Sequence, residues 1–231
     1  MLDTFQRLRY RLPLKPRQVQ IEITNRCNMD CPMCPREDLN IELEHMDWSK
    51  FVTVVDKLNE RENITLTGWG EPFLHPHIFD MITYCKDRGH KVMTTSNGLF
   101  FKETIVEEIL NTDLDELTFS IDGIEDNNVF DGHTSNKVYE NIEKITKLRK
   151  NGKPLIRLQS TLHKGCEKDL YDVIRFGARI GIEAINVGRI DRKYAPNLKR
   201  PGPLEEERIF HEADRIANEC AIRLDWLQYA V

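Results

Sequence analysis

The feature that most constrains the fold of this chain is a repeated switch between two periodicities of apolar residues. Strand-like runs, several of them rich in β-branched residues, alternate with amphipathic segments that have the i, i+3, i+4, i+7 spacing of helices. The six strand-like runs are Gln18–Thr24, Asn63–Thr67, Lys91–Ser96, Glu116–Ile121, Leu155–Thr161 and Ala184–Ile190. This alternation is typical of βα units that build a parallel sheet with right-handed crossovers.

Six such units in 231 residues are too few for a closed eight-unit barrel, which usually takes ~250 residues. We therefore predict an α/β fold, a partial (β/α)6 barrel of parallel strands, with a flat doubly wound sheet as the alternative. In both architectures ligands bind at the carboxyl ends of the strands.

The chain divides into three predicted parts. Residues 1–17 form an N-terminal leader, residues 18–220 form the barrel, and residues 221–231 form a tail that alternates like a strand. We interpret this tail either as a strand across the open edge of the barrel or as the start of a further domain.

Composition excludes several classes of function. Lys and Arg total 33 against 38 Asp and Glu, a net charge of −5, which argues against a nonspecific nucleic-acid binder. No apolar run approaches the ~18 residues of a membrane span, and the first residues lack the apolar centre of a secretory signal. We expect a cytoplasmic protein whose six cysteines stay reduced.

Three of those cysteines follow the first strand directly. Cys27, Cys31 and Cys34 are spaced C-x3-C-x2-C, and one loop of this kind can bind three irons of a [4Fe–4S] cluster while leaving the fourth iron open. A structural zinc site needs a fourth ligand, and the nearest histidine, His45, is eleven positions beyond Cys34. A zinc knuckle is the alternative interpretation.

The cysteine spacing resembles the signature of the radical S-adenosylmethionine (radical SAM) superfamily, over roughly residues 18–190. The resemblance implies that Cys27, Cys31 and Cys34 bind a [4Fe–4S] cluster whose fourth iron binds S-adenosylmethionine (SAM). One electron then cleaves the sulfonium C–S bond, and a 5′-deoxyadenosyl radical abstracts hydrogen from a substrate. The core is of the type often followed by a SPASM or twitch extension with auxiliary clusters, and we find no such cysteine-rich extension here.

Further motifs extend the resemblance. Gly68-Trp-Gly70-Glu71-Pro resembles the family's GGEP motif, which implies that Gly68, Gly70 and Glu71 contact the methionine amino group of SAM. Trp69 departs from the family pattern there. Met33 occupies a position where the family usually has an aromatic residue near the adenine, and a methionine can pack there through its thioether.

Polar residues at the ends of later strands complete the predicted cofactor site. The resemblance implies SAM contacts from Asn97 and Ser120, and positions on strands five and six add Gln159 and Arg189 as candidates. Asn97 precedes Gly98, and Asn-Gly is also an ordinary turn signal, so we expect Asn97 mainly to organise its turn. Arg189 either binds a carboxylate of SAM or substrate or is simply a surface arginine at a strand end.

The remaining cysteines and a histidine pair have simpler interpretations. Cys85 and Cys220 lie on apolar helix stripes, as core thiols do. Cys166 follows the fifth strand and is the one candidate for substrate contact or radical relay, and we assign no other catalytic residue. His75 and His77 flank Pro76, and we prefer helix capping to metal binding for them.

The sequence therefore predicts an iron–sulfur enzyme that abstracts hydrogen from a small molecule or a peptide, in cofactor biosynthesis or peptide modification. Its implied partner is an external one-electron donor of the ferredoxin or flavodoxin type. A radical SAM methyl or methylthio transferase is one alternative, and a non-catalytic zinc or iron–sulfur binding module is another.

Overall fold

The computed structural model of the chain describes residues 18–36, 38–59, 62–101, 103–123, 136–191, 193 and 198–227. The predicted leader, residues 1–17, and the last four residues of the predicted tail lie outside these ranges. Across the ranges that are described, no helix is both long enough and apolar enough to span a membrane.

A single sheet of seven parallel strands organises the described residues. Its members are β1 (Gln18–Ile21), β2 (Asn63–Leu66), β3 (Lys91–Ser96), β4 (Glu116–Ser120), β5 (Leu155–Leu162), β6 (Ala184–Arg189) and β7 (Arg223–Trp226). Each strand pairs with the next one along the chain. A doubly wound sheet reverses its strand order at a switch point, so the sequential order confirms the predicted partial barrel of an α/β fold.

Helices cover one face of this sheet. They are α1 (Trp48–Val55), α2 (Ile78–Asp87), α3 (Glu103–Asn111), α4 (Asn136–Leu148), α5 (Glu167–Ile180) and α6 (Pro203–Glu219), with a short 3₁₀ helix (Pro72–Leu74) before α2. Helix α5 packs closely because Gly177 has no side chain: a Cβ there would lie 3.2 Å from the side chains of Leu158 and Ile185. Cys85 of α2 is fully buried on this side, which confirms it as a core thiol.

The opposite face of the sheet is polar and open. Leu158 and Leu162 of β5 are buried, whereas Arg157, Gln159 and Thr161, which alternate with them, are half-buried. Successive side chains of a strand point to opposite faces, so these three residues point into the partial barrel. The interior of the barrel is therefore the surface on which polar ligands can bind.

The sheet is one strand wider than the six strands that the sequence predicts. Arg223–Trp226 pairs in parallel with β6, so part of the predicted tail continues the barrel sheet. Trp226 holds this strand against α6: its ring lies 4.0 Å from that of Phe210, and its Nε1 donates a 2.9 Å hydrogen bond to Asp214. At four residues the strand is too short for sequence alternation to show which strand it joins.

Ionic contacts across the open face tie β7 to the middle of the sheet. Arg157 of β5 donates a 3.0 Å hydrogen bond to Asp225 of β7. Its Nε also lies 2.9 Å from a Glu116 carboxylate oxygen of β4, although off the line of a hydrogen bond. Ala184 of β6 lies in register with Arg157, and its small side chain lets the guanidinium reach across β6.

We expect Arg157→Leu to lower the free energy of unfolding by about 1–2 kcal/mol, because it leaves two carboxylates without their half-buried cation. The side chain of Arg157 is 16% exposed. Arg223→Leu is the matched control, since Arg223 pairs with the same Asp225 but is 58% exposed, and we expect a loss of no more than about 0.5 kcal/mol. Urea unfolding of both variants measures the difference; equal losses would show that burial of the pair is unimportant.

Candidate active site

The loop that carries the three cysteines is anchored at its start by the segment 42–46. The Asn25 side chain accepts a 2.7 Å hydrogen bond from the Glu44 N–H and donates one of 2.7 Å to the Glu42 carbonyl. Thr24 forms an antiparallel bridge with His45, and the Met46 N–H donates to the Ile23 carbonyl at 2.7 Å. The backbone immediately before Cys27 is therefore held from one side by these bonds.

The three cysteines themselves are half-buried and not in disulfides. A turn links two of them, because the Cys34 N–H donates to the Cys31 carbonyl at 2.9 Å. Burial raises the pKa of the Cys27 thiol, and the Glu71 carboxyl acts in the same direction; the Met29 N–H and the Arg36 charge oppose them. Metal binding requires the thiolate, so the site relies on the metal to remove this proton.

The Gly70–Glu71 turn at the end of β2 touches the cysteine loop through backbone alone. The Glu71 N–H donates to the Arg26 carbonyl at 2.8 Å. A Cβ on Gly70 would lie 2.4 Å from the Thr24 carbonyl oxygen and 2.6 Å from that of Arg26. Only glycine allows this approach, so Gly70 sets the distance between the loop and the sheet.

Gly68 makes a similar approach to a side chain. A Cβ there would lie 2.2 Å from Glu22 Oε1, the same oxygen that accepts a 2.6 Å hydrogen bond from the Trp69 N–H. The turn therefore also packs against Glu22, which directly follows β1, and the Trp69 side chain is exposed. This geometry explains how tryptophan is accommodated where the family pattern has glycine.

Glu71 fastens the ends of β2 and β3 together. Its carboxylate accepts hydrogen bonds from the Phe73 N–H (3.1 Å), the Ser96 hydroxyl (2.9 Å) and the Asn97 N–H (2.8 Å). It is 2% exposed, and burial raises its pKa to about 7 despite these three bonds. The structure thus places the Glu71 carboxylate in an internal brace, where the resemblance implied contact with the SAM amino group.

Asn97 connects this brace to the cysteine loop. Its Oδ1 accepts a 2.9 Å hydrogen bond from the Leu99 N–H, as a turn-organising asparagine does. Its Nδ2 donates to Asn28 Oδ1 at 2.8 Å and lies 3.9 Å from the Cys27 sulfur. Beyond the turn predicted for it, Asn97 therefore packs against the first cysteine of the loop.

Ser120 and Gln159 lie side by side on the open face. They are register partners on β4 and β5, and Gln159 is the register partner of Asn186 on β6. All three are half-buried. Within the described part of the chain their side chains make no hydrogen bond, so this polar row, at the carboxyl end of β4 and midway along β5 and β6, is available to a ligand.

The structure does not bring Arg189 into this group. Arg189 pairs in register with Leu162, whose side chain is buried on the helix-covered face. Its Nε donates a 2.5 Å hydrogen bond to Glu206 of α6, and its guanidinium lies 5.0 Å from the Phe210 ring centre. Arg189 therefore fastens α6 to the sheet, as a structural strand-end arginine does. Met33 is half-buried in the cysteine loop.

Cys166 lies in the core rather than at the open face. It is 3% exposed at the start of α5, and its sulfur accepts a 3.3 Å hydrogen bond from the His163 N–H. Burial raises its pKa to about 12, which keeps the thiol protonated. Cys220, at the end of α6, is half-buried and packs against the core.

Of the two histidines predicted to cap a helix, His75 does so and supports the loop indirectly, whereas the His77 side chain makes no capping hydrogen bond. Its Nε2 lies 3.0 Å from the Met46 carbonyl, and its Nδ1 accepts a 3.0 Å hydrogen bond from the His77 N–H. This pattern requires a neutral ring with its proton on Nε2. His75 thus fixes Met46, which belongs to the segment that anchors the cysteine loop.

Three residues at the site were missed by sequence reasoning: Asn25, Ser96 and Arg36. Asn25 lies two residues before Cys27, Ser96 precedes Asn97, and Arg36 follows Cys34-Pro35. In the sequence, only their closeness to the motifs could have indicated a role. Each acts through a contact with a backbone group or side chain elsewhere in the chain, and no local pattern predicts such a contact.

Comparison with known proteins assigns the family. Residues 21–177 match the family model of the Radical SAM superfamily. The chain belongs to this superfamily. Its curated relatives include the tungsten-containing aldehyde ferredoxin oxidoreductase cofactor-modifying protein of Pyrococcus furiosus, 30% identical over 90% of this chain and 62% of that protein. The AdoMet-dependent heme synthase of Methanosarcina barkeri is 25% identical over 90% of the chain and 61% of that protein.

Solved structures show the same fold at low identity. SuiB of Streptococcus suis, bound to S-adenosylmethionine, has a TM-score of 0.77 and 14% identity, covering 98% of this radical SAM chain and 53% of SuiB. The chain spans about three fifths of the length of its two curated relatives above. The cofactors of the superfamily are a [4Fe–4S] cluster and SAM.

The donor set of this radical SAM chain fits such a cluster. In zinc sites four ligands surround one ion at about 2.0–2.3 Å, whereas each cysteine of a cluster binds a different iron. Among the residues that the structure describes, no three His, Cys, Asp or Glu side chains are arranged to hold one metal ion. Three thiols on one loop match the number of irons that the protein ligates in such a cluster and are one fewer than a structural zinc site needs.

We expect Gly70→Ala to lower the free energy of unfolding by about 1–3 kcal/mol, because its Cβ meets two backbone carbonyls that cannot rotate away. It should also lower the iron content after anaerobic reconstitution, since the cysteine loop must shift. Gly202→Ala is the control, because a Cβ there has no atom within 4 Å. Equal iron content in the two variants would show that the Gly70 contact does not position the loop.

We expect His75 to destabilise the fold as the pH is lowered from 7.5 to 5.5, in opposition to the Glu71 carboxyl, whose raised pKa acts in the other direction. Burial lowers the pKa of His75, so its stabilising contribution is complete above the ordinary value near 6.5 and is lost as the pH falls below it. His75→Gln should reduce the slope of melting temperature against pH. His211→Gln, on an 80% exposed side chain, should not; equal slopes in both variants would exclude His75 as a source.

Proposed function

We propose that this chain carries the radical-generating site of an enzyme that uses SAM to abstract hydrogen from a further substrate. When bound, a [4Fe–4S] cluster and SAM together supply a 5′-deoxyadenosyl radical for this step. The observation that carries the proposal is the direct backbone contact between the cysteine loop and the Gly70–Glu71 turn. This contact holds the start of the cysteine loop, just before Cys27, at the carboxyl ends of β1 and β2, and ligands of such barrels bind at these ends.

In this proposal the cysteines bind the cluster, and residues of the β2 turn position the loop that carries them. Cys27, Cys31 and Cys34 would hold the cluster through three of its irons and leave the fourth for SAM. Gly70 brings the loop to the end of β2, and the buried Glu71 carboxylate keeps the end of β3 in place. Each brace is internal to the protein, so the site is preorganised before any ligand binds.

The polar row on the open face is proposed to orient SAM and the substrate. Ser120, Gln159 and Asn186 present hydroxyl and amide groups that make no hydrogen bond within the described residues. Uncharged groups of this kind can bind the ribose hydroxyls and the carboxylate of SAM.

The proposed substrate is a small molecule or a peptide, in cofactor biosynthesis or peptide modification. Relatives support both classes: the Pyrococcus furiosus protein is named as cofactor-modifying. A PqqA peptide cyclase of Methylorubrum extorquens is 22% identical over 88% of this chain, and a structure of SuiB contains the precursor peptide SuiA. We also propose an external one-electron donor of the ferredoxin or flavodoxin type, because the reaction consumes an electron.

The test is anaerobic reconstitution with iron and sulfide, followed by dithionite reduction and chromatographic measurement of 5′-deoxyadenosine. We expect the wild-type protein to form 5′-deoxyadenosine. The rate of its formation should be at least about 100-fold lower in Cys27→Ala, Cys31→Ala and Cys34→Ala, because each change removes an iron ligand. Cys220→Ala is the control, because Cys220 lies away from the loop at the end of α6.

Two results would contradict the proposal. Purified protein that contains zinc and no iron would indicate a structural metal module. SAM labelled in its methyl group distinguishes the other alternative, because label in a product would indicate methyl or methylthio transfer.

We expect Gln159→Leu to weaken SAM binding by about tenfold, the effect of losing one or two hydrogen bonds worth about 1 kcal/mol each. Calorimetry on reconstituted protein measures the affinity. Gln18→Leu is the matched control, because Gln18 is the first residue of β1, at the amino ends of the strands. Equal affinity in both variants would remove Gln159 from the proposed site.

A further inference from the structure

Arg36 is a buried cation inside the cysteine loop, and the proposed chemistry assigns it no role. It lies two residues beyond Cys34 and is 8% exposed. A guanidinium stays protonated in proteins, and burying its charge is costly unless it is paired and hydrogen-bonded. The buried guanidinium therefore needs partner groups that compensate for the loss of its hydration.

The hydrogen bonds of Arg36 close the loop on itself. Its Nη2 donates to the Met29 carbonyl at 3.0 Å and to Asp30 Oδ1 at 2.5 Å. Met29 and Asp30 lie between Cys27 and Cys31 in sequence, whereas Arg36 lies beyond Cys34. The guanidinium thus ties the end of the loop to its first half and limits the separation of the cysteines.

The ion pair with Asp30 does not account fully for the buried charge. Asp30 is 75% exposed, so water screens its carboxylate and weakens the pair. Arg36 also lines a cavity of about 180 Å³ together with Cys31, Cys34 and the exposed residues Asp30 and Asp38. A negative group bound within this cavity would balance the guanidinium better than these two solvent-screened carboxylates do.

A bound iron–sulfur cluster is such a group, because thiolate ligands make its net charge negative and reduction makes it more negative still. Net charge and nearby hydrogen bonds are among the factors that set the reduction potential of a cluster. A fixed positive charge beside the ligands stabilises the reduced state and so raises this potential.

We propose that Arg36 is a positioning residue that closes the cysteine loop and offsets the negative charge of the cluster bound there. This inference rests on the proposed function, since it requires the cysteines to hold a cluster. It adds an electrostatic role that neither the cysteine spacing nor the Gly70–Glu71 contact supplies.

The test is the reduction potential of anaerobically reconstituted protein, measured by redox titration with EPR detection. We expect Arg36→Gln to lower the ratio of reduced to oxidised cluster about tenfold at a fixed potential, which is about 59 mV for one electron. Arg36→Lys should recover most of the shift, because it keeps the charge. Asp30→Asn is the control: it removes the exposed partner, keeps the guanidinium and should give no shift to lower potential.

A wild-type potential in Arg36→Gln would overturn the electrostatic role. If that variant retains too little iron to titrate, hydrogen exchange of the metal-free proteins decides the positioning role. We expect the amides between Cys27 and Arg36 to exchange at least about tenfold faster in Arg36→Gln, with the helices unchanged; equal exchange would overturn it. Wild-type protein that binds no iron would contradict the proposed function, while the exchange comparison would still decide whether Arg36 closes the loop.

Discussion

The contact between the Gly70–Glu71 turn and the backbone of the cysteine loop is the constraint on which the site depends. The Glu71 N–H bonds the Arg26 carbonyl, and the absence of a side chain at Gly70 makes that distance possible. The Glu71 carboxylate then fixes the end of β3. One short turn therefore sets the relative positions of three strand ends and of the loop that follows the first.

The division of the sheet into a covered face and an open face explains the rest of the arrangement. Helices bury apolar side chains of the sheet, as Leu158 and Ile185 show beside Gly177. The alternate side chains point into the partial barrel, and they are polar because they line a space that ligands can enter. Gln159 therefore lies on the open face for the same geometric reason that Leu158 belongs to the core.

The alternation of side chains along each strand also explains which of the predicted residues lie on the open face. Ser120 and Gln159 share the open face because they are register partners. Arg189, one residue beyond the open-face position at Gly188, points to α6 instead. A strand end can be located from sequence to within a residue or two, and an error of one residue exchanges the two faces. Glu71 lies at the end of β2, and its burial as a brace depends on β3, which is distant in sequence.

The sequence by itself determined the alternation of strands and helices, the parallel order of a partial barrel and the three cysteines on one loop. These features are local, because they depend on periodicity and spacing along a short stretch of chain. Only the tertiary structure decided that a seventh strand joins β6, that Arg189 faces a helix and that Arg36 is buried in the loop. Each of these is set by contacts between segments that are separate in the fold, and no local pattern of residues specifies such contacts.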